Sequence, residues 1–377
     1  MNFKKFWTYP LLFGILGALL GLILRYAYTG AINGFPFKNV LHSHSHVMLL
    51  GFVFNGLLVI VWSNFTSHID KITFRLFLML QLCIALFSVA FVLQGYALFS
   101  ILFSTTHLWI SYILLIRLWK QVSEDNPQHK LIRLGIIFHF LSSLGPYMLG
   151  SLMAMEMQTS PWYQQAIFFY LHFQYFGVFF VWMLAVLFKK VEISLTKKES
   201  IALAVSLIFL FAHSLDFSFN HWSIQFFGSI GSVGLFLLLL NFVKRFNVLN
   251  NGYKLIYLGV LIIAFFNIIG SVPPIANLLV ESRFILIAWL HLLFLGIYTP
   301  FIWLSLSKKV HPLVWWLYGL ALFSSEIALV FPKAITNFIS IPILWFLFVS
   351  YLGIFLCICW VHITNLLNFG RKKVIKR

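Results

Sequence analysis

The sequence predicts an all-α integral membrane protein with twelve transmembrane helices, organised as a single domain over residues 1–377. Three observations support this fold class. The chain is 61% hydrophobic and only 9% charged, it contains long runs without Lys, Arg, Asp or Glu, and its basic residues cluster at alternate ends of those runs. Soluble domains carry about 25% charged residues. A chain of this composition has too little polar surface to fold in water.

The charge-poor runs assign the helices in chain order, because a spanning helix needs about 20 mostly apolar residues. Turn-forming residues near positions 95, 160, 219 and 332 separate neighbouring helices. The first run is longer than a typical signal-peptide core, so we interpret it as a retained helix. The helices are predicted as follows: one each in 6–24, 39–69, 134–155, 157–188, 255–280 and 284–307, and two each in 76–116, 200–243 and 310–370.

The basic residues orient these helices. With both termini in the cytoplasm, 22 of the 26 Lys and Arg residues fall on the inner side, as the positive-inside rule requires. The net charge of +17 therefore orients the protein and does not indicate a nucleic-acid partner. We expect the partner to be the lipid bilayer, in a bacterial-type inner membrane. The four basic residues on the outer side are Arg25, Lys38, Arg283 and Lys333.

Histidines outnumber acidic residues, at 13 against 9. Several share one depth, near the outer face, on different predicted helices. Imidazole is a common ligand of copper, zinc and haem iron, so this layer favours a metal or haem site. The alternative is that each histidine caps a helix end or bonds a nearby Ser or Tyr. The layer comprises His42, His44 and His46 on helix 2, His172 on helix 6, His213 on helix 7, His221 in the next turn and His291 on helix 10.

Two short segments resemble a known family. Residues 44–52 read His-Ser-His-Val-Met-Leu-Leu-Gly-Phe, similar to an H-x-H-x-M-L-x-G-F segment, and residues 291–296 read His-Leu-Leu-Phe-Leu-Gly, similar to H-L-x-x-L-G. With twelve helices and histidines on helices 2, 6, 7 and 10, the chain resembles subunit I of the haem–copper oxidase superfamily. It looks nearest to the nitric oxide reductases and the NnrS-type haem proteins.

The resemblance implies an oxidase-like bundle that binds haem. His46, with His44 close behind it, and His291 match the haem-ligating positions, and His46 and His291 would face each other across one haem. His172 and His213 fall on helices that carry copper ligands in the family. Together with His221 they would hold a copper ion or bond the haem propionates. The implied function is the handling of nitric oxide or another diatomic gas, as a reductase, sensor or stress-protection protein with a redox partner.

The sequence departs from the family pattern at three helices. Helix 7 has the single His213, helix 10 has His291 without a second histidine, and helix 6 lacks the H-P-E-V-Y segment after His172. These departures weigh against oxygen reduction and leave open whether the protein is an enzyme. The alternatives are a respiratory terminal oxidase-like enzyme and a twelve-helix transporter with structural histidines. A metal analysis with an optical spectrum distinguishes the three.

The few charged residues near the outer face carry further expectations. Glu326, within helix 11, is expected to pair with Lys333 two turns on, or to belong to a proton path. Arg25, Lys38 and Arg283 are expected to extend toward lipid phosphates, as long basic side chains do at helix ends.

Overall fold

The computed structural model describes residues 4–122, 126–215, 222–272, 274–275, 282–306, 308–338 and 340–371. Within these residues every regular element is helical, and eleven helices are long and apolar enough to cross a membrane. The protein is therefore a multi-pass membrane protein, as the sequence predicts. The helices are α1 Lys4–Tyr28, α2 Phe37–Phe65, α3 Lys71–Gln94, α4 Leu98–Gln121, α5 Pro127–Ala154, α6 Pro161–Lys190, α7 Lys197–Phe209, α8 Trp222–Leu240, α9 Asn251–Ile269, α10 Arg283–Leu304, α11 Pro312–Val330 and α12 Ile343–Arg371, with a short helix Pro332–Phe338 between the last two.

All except α7 belong to the eleven candidate spans, and each of the eleven overlaps a helix that the sequence predicts. Helix α7 has 13 residues and continues as a 3-10 turn over Leu210–Ser214. A twelfth span and two cytoplasmic termini stay predictions.

The helix boundaries follow from local chemistry. Asp70 caps α3, its carboxylate accepting the Thr73 backbone N–H at 2.7 Å. A proline occupies the first turn of α5, α6 and α11, where its missing N–H costs nothing. Gly95, at φ 66°, ends α3 in the left-handed conformation that glycine adopts without strain. These capping residues, prolines and glycine therefore set where the helices concerned begin and end.

A capping box begins α7. Thr196 Oγ1 accepts the Glu199 backbone N–H at 3.2 Å, and Glu199 Oε2 accepts the Thr196 backbone N–H at 2.7 Å. Two N–H groups of the first turn are satisfied in this way.

Replacing Thr196 with Ala should lower the free energy of unfolding by about 1 kcal/mol, because the Glu199 amide loses its acceptor. Equilibrium unfolding in detergent measures this change. The matched control is Thr336→Ala in the short helix Pro332–Phe338, where the hydroxyl is exposed and bonds only a carbonyl three residues back. Equal effects of the two substitutions would contradict the capping role.

The described residues divide into two compact units. Unit 1 comprises 1–114 and 284–377, and unit 2 comprises 115–283. In unit 1, α1 packs against α2 and α12, while α11 packs against α12. In unit 2, α6 packs against α5, and α8 packs against both α7 and α9. Among the candidate spans, α2 is the most enclosed helix of unit 1 and α6 the most enclosed helix of unit 2.

Three helices contain π-helical segments among the described residues, at Val47–Phe54 in α2, Phe173–Phe179 in α6 and Phe294–Tyr298 in α10. A π turn leaves carbonyls without their usual partner, and side chains supply one. Asn55 donates to the Gly51 carbonyl at 3.0 Å in α2. Thr299 donates to the Phe294 carbonyl at 2.8 Å in α10. Segments of this kind are frequent at functional sites.

Candidate functional site

His44 lies on α2, facing α1. Its Nδ1 is 2.8 Å from the Gly17 carbonyl oxygen, and since a carbonyl only accepts, Nδ1 carries the hydrogen. Glycines on α1 allow this approach. A Cβ atom at Gly21 would overlap the Tyr351 hydroxyl and lie 2.9 Å from His44 Cε1. The glycine face of α1 therefore seats both His44 and Tyr351.

His291 lies on α10 and meets α11. Its Nδ1 is 3.2 Å from Glu326 Oε1, and both side chains are largely enclosed, at 19% and 15% exposure. Ala288, three residues before His291, and Ala328, two residues after Glu326, belong to one buried apolar cluster that also includes Leu347 of α12. This packing sets the separation of α10 and α11 at which the imidazole and the carboxylate meet.

The structure brings His44 and His291 together. The two rings are close enough for a charge on one to act electrostatically on the other. Both also border Tyr351, whose ring centroid is 6.5 Å from that of His291. Two imidazoles from α2 and α10 therefore lie beside one tyrosine of α12.

Arg25 belongs to the same cluster. The expectation that it extends to lipid phosphates is wrong, because the side chain is only 6% exposed. Its guanidinium carbon lies 6.0 Å from the Tyr351 ring centroid, and Nη2 has no hydrogen-bond partner among the described residues. The Coulombic attraction of Glu326 helps to hold this charge inside the unit. Glu326 Oε2 is likewise buried and lacks a partner there.

Glu326 therefore interacts with the imidazole of His291, and the expected pairing with Lys333 is not seen among the described residues. Lys333 is exposed, at the start of the short helix that follows α11. A carboxylate bonded to imidazole Nδ1 is the usual partner that orients a metal-binding histidine.

The donor set of this cluster fits a haem or metal held by two histidines. Nδ1 of His44 bonds a backbone carbonyl, and Nδ1 of His291 bonds a carboxylate. No hydrogen bond between described residues reaches Nε2 of either ring. Metal-binding histidines nearly always have their second nitrogen anchored in one of these two ways. Each ring therefore has one nitrogen fixed and the other available.

His46 occupies a different environment. Its ring packs against Phe91 with centroids 4.4 Å apart, its Nδ1 is 2.9 Å from the His42 carbonyl oxygen, and its Nε2 is 3.2 Å from the Tyr96 hydroxyl. Both nitrogens are engaged, Nδ1 within α2 and Nε2 by a residue of the loop between α3 and α4. Of the two histidines in the segment 44–52, the structure groups His44 with His291 and places His46 apart from them.

His172 and His213 lie in unit 2 and are within electrostatic range of each other. His172 is buried, with Nε2 2.9 Å from the Leu207 carbonyl oxygen and Nδ1 without a hydrogen bond among the described residues. His213 has both nitrogens occupied, Nδ1 by Gln225 at 3.2 Å and Nε2 by the Ser232 hydroxyl at 2.8 Å.

The third expected copper ligand, His221, lies outside the described residues. Within the described ranges no three His, Cys, Asp or Glu side chains are grouped to hold a metal ion. The copper site expected at His172, His213 and His221 therefore stays a prediction.

Sequence reasoning missed the roles of Gly17, Gly21 and Tyr351. The spacing of Gly14, Gly17 and Gly21 on one face of α1 was a usable signal, since small residues mark close helix approach in membranes.

A second signal is a repeated pattern. His46, His172 and His291 are each followed five residues later by glycine, at 51, 177 and 296, and each of these glycines lies in one of the three π-helical segments. The pattern therefore coincides with the π-helical segments of α2, α6 and α10.

Comparison with known proteins adds no identification. No protein-family model matches this chain, and no curated protein matches it. The evidence for function therefore comes from the geometry of unit 1.

Proposed function

We propose that this multi-pass membrane protein binds haem through His44 and His291 and handles nitric oxide or another diatomic gas, as a reductase, sensor or stress-protection protein. The observation that carries the proposal is the convergence of these two imidazoles, each with Nδ1 anchored and Nε2 available. Bound haem supplies an iron atom that takes up the gas. The proposal includes a bilayer of the bacterial inner-membrane type and a redox partner.

The chain's own groups hold the two rings in place before any ligand binds. Gly17 accepts from His44, and Glu326 accepts from His291, so neither imidazole can rotate without losing a bond. Tyr351 fills the space beside both rings. Arg25 contributes a buried positive charge and a free donor next to the pair.

Copper is not part of this proposal. The nitrogens of His213 are already bonded to Gln225 and Ser232, so this ring would have to break two hydrogen bonds to act as a ligand. Without a copper centre, oxygen reduction of the terminal-oxidase type is not supported by the described residues.

An optical spectrum tests the proposal. Full-length protein purified from haem-supplied cells should show a Soret band, and the double substitution His44→Ala with His291→Ala should abolish it. The matched control is His46→Ala, two residues from His44, which should leave the band unchanged because both His46 nitrogens bond other groups. Absence of the band in the wild type, or its persistence in the double variant, would overturn the proposal.

A further inference from the structure

The two candidate ligands differ in what holds their second nitrogen. This inference rests on the proposed haem site and adds to it a direction of gas binding. We infer that His291 is the permanent iron ligand and His44 the exchangeable one, so that a small hydrogen-bond-accepting gas such as nitric oxide binds on the His44 side.

The anchors differ in charge. His291 Nδ1 bonds a carboxylate oxygen of Glu326, whereas His44 Nδ1 bonds the neutral carbonyl of Gly17. Hydrogen bonds to a charged partner are roughly twice as strong as those between neutral groups. A carboxylate partner also raises the basicity of the ligating imidazole. His291 is therefore the stronger donor to iron, and His44 is the ligand that is displaced first.

Two groups near His44 can donate a hydrogen bond to a gas bound there. The Tyr351 hydroxyl lies next to His44 Cε1, since both would meet a Cβ at Gly21. Arg25 is also within electrostatic range of His44. Its buried Nη2 has no partner among the described residues, and an unpaired buried charged donor is costly. A gas that accepts a hydrogen bond on the His44 side would remove that cost.

The exchange balances without a proton or an electron. With haem bound, His44 Nε2 would release the iron and the gas would take its place, so one bond to iron would be lost for one gained. His44 would leave as a neutral imidazole, because Nδ1 keeps its hydrogen and continues to donate it to the Gly17 carbonyl. No other reactant is needed.

Carbon monoxide binding to the reduced, haem-loaded protein is the test, with nitric oxide as the second probe. Wild type should show a six-coordinate spectrum and slow carbon monoxide binding, limited by loss of His44. His44→Ala should keep haem, become five-coordinate and bind carbon monoxide at least tenfold faster, and added imidazole should restore the six-coordinate spectrum. His291→Ala should lose most of its haem.

Glu326→Gln provides a second, milder variant. It keeps the hydrogen bond to His291 but removes the charge, so the reduction potential should move to a more positive value while haem stays bound. Size-exclusion profiles confirm that each variant is folded. If His44→Ala is poorly folded, His44→Gln replaces it.

Three results overturn the inference. The first is haem loss in His44→Ala with retention in His291→Ala, and the second is carbon monoxide binding unchanged in a folded His44 variant. The third is an unchanged potential in Glu326→Gln. All three require a Soret band in the wild type, so they are distinct from failure of the proposed function, which is the absence of that band.

Discussion

Gly21→Ala should destabilise the protein by about 1–3 kcal/mol and reduce haem binding, because the new methyl group has no space. A Cβ there would overlap the Tyr351 hydroxyl and crowd His44. Tyr351 is only 3% exposed, so its rigid ring cannot swing aside without disturbing α12. Forcing an extra methyl group into packed contact typically costs this amount. Equilibrium unfolding in detergent and the Soret intensity per protein measure the two effects.

Gly319→Ala is the matched control, since Gly319 lies in the middle of α11 and a Cβ there meets nothing within 4 Å. Replacing glycine with alanine in an open helix position should stabilise by roughly 0.5–1 kcal/mol. The two substitutions are therefore expected to have opposite signs. If Gly21→Ala were stabilising as well, the contact between α1, His44 and Tyr351 would be looser than the structure indicates.

Trp182→Ala should lower the free energy of unfolding of unit 2 by about 3 kcal/mol, the lower end of the range for a buried tryptophan. The side chain is fully buried in α6, and its indole lies against Gly135 of α5, where a Cβ would overlap the ring nitrogen. Its Nε1 donates to the Ile132 carbonyl at 3.2 Å. We expect the lower end because the substitution removes packing contacts with other side chains, whereas moving an apolar ring out of lipid contributes little free energy.

Two companion variants separate the causes. Trp182→Phe keeps most of the ring but loses the bond to Ile132, so it should cost about 1 kcal/mol. Trp316→Ala removes a tryptophan that is 79% exposed on α11 and should change stability by less than about 0.5 kcal/mol. Thermal or denaturant unfolding of the three variants ranks them, and a cost of Trp316→Ala equal to that of Trp182→Ala would refute the packing argument.

The helices could be predicted from sequence because length and apolar content alone decide which segments span a membrane. Helix α2 at Phe37–Phe65 and α10 at Arg283–Leu304 lie within a few residues of the predicted runs 39–69 and 284–307. Helix α7 differs because its first turn, from Lys197, is built from charged residues and a capping box. A search for charge-free runs begins too late for such a helix.

The sequence predicts a histidine layer but could not predict the partners of its members. The sequence placed His44, His46 and His291 at one depth, and the family-like segment favoured His46. Residues two apart on a helix point about 200° apart, so choosing between His44 and His46 requires knowing which helices lie on each side. That information comes from tertiary packing, here from Gly17 on one side and Phe91 on the other.

Arg25 illustrates the same limit for charge. At a helix end, a single arginine in a sequence is best interpreted as reaching lipid phosphates. Its burial depends on a carboxylate contributed about 300 residues later, by Glu326, and on Tyr351 beyond that. Neither pairing has a spacing or motif that the sequence reveals.

The π-helical segments have a consequence for how relatives of this chain are to be aligned. A turn with bonds between residues five apart holds one more residue than an α turn. A homologue that lacks the segment at Val47–Phe54 would be shorter there by one residue, and an ungapped alignment would misplace every later position of α2 by about 100° around the helix. Single-residue gaps inside α2, α6 and α10 should therefore be allowed when distant relatives are sought.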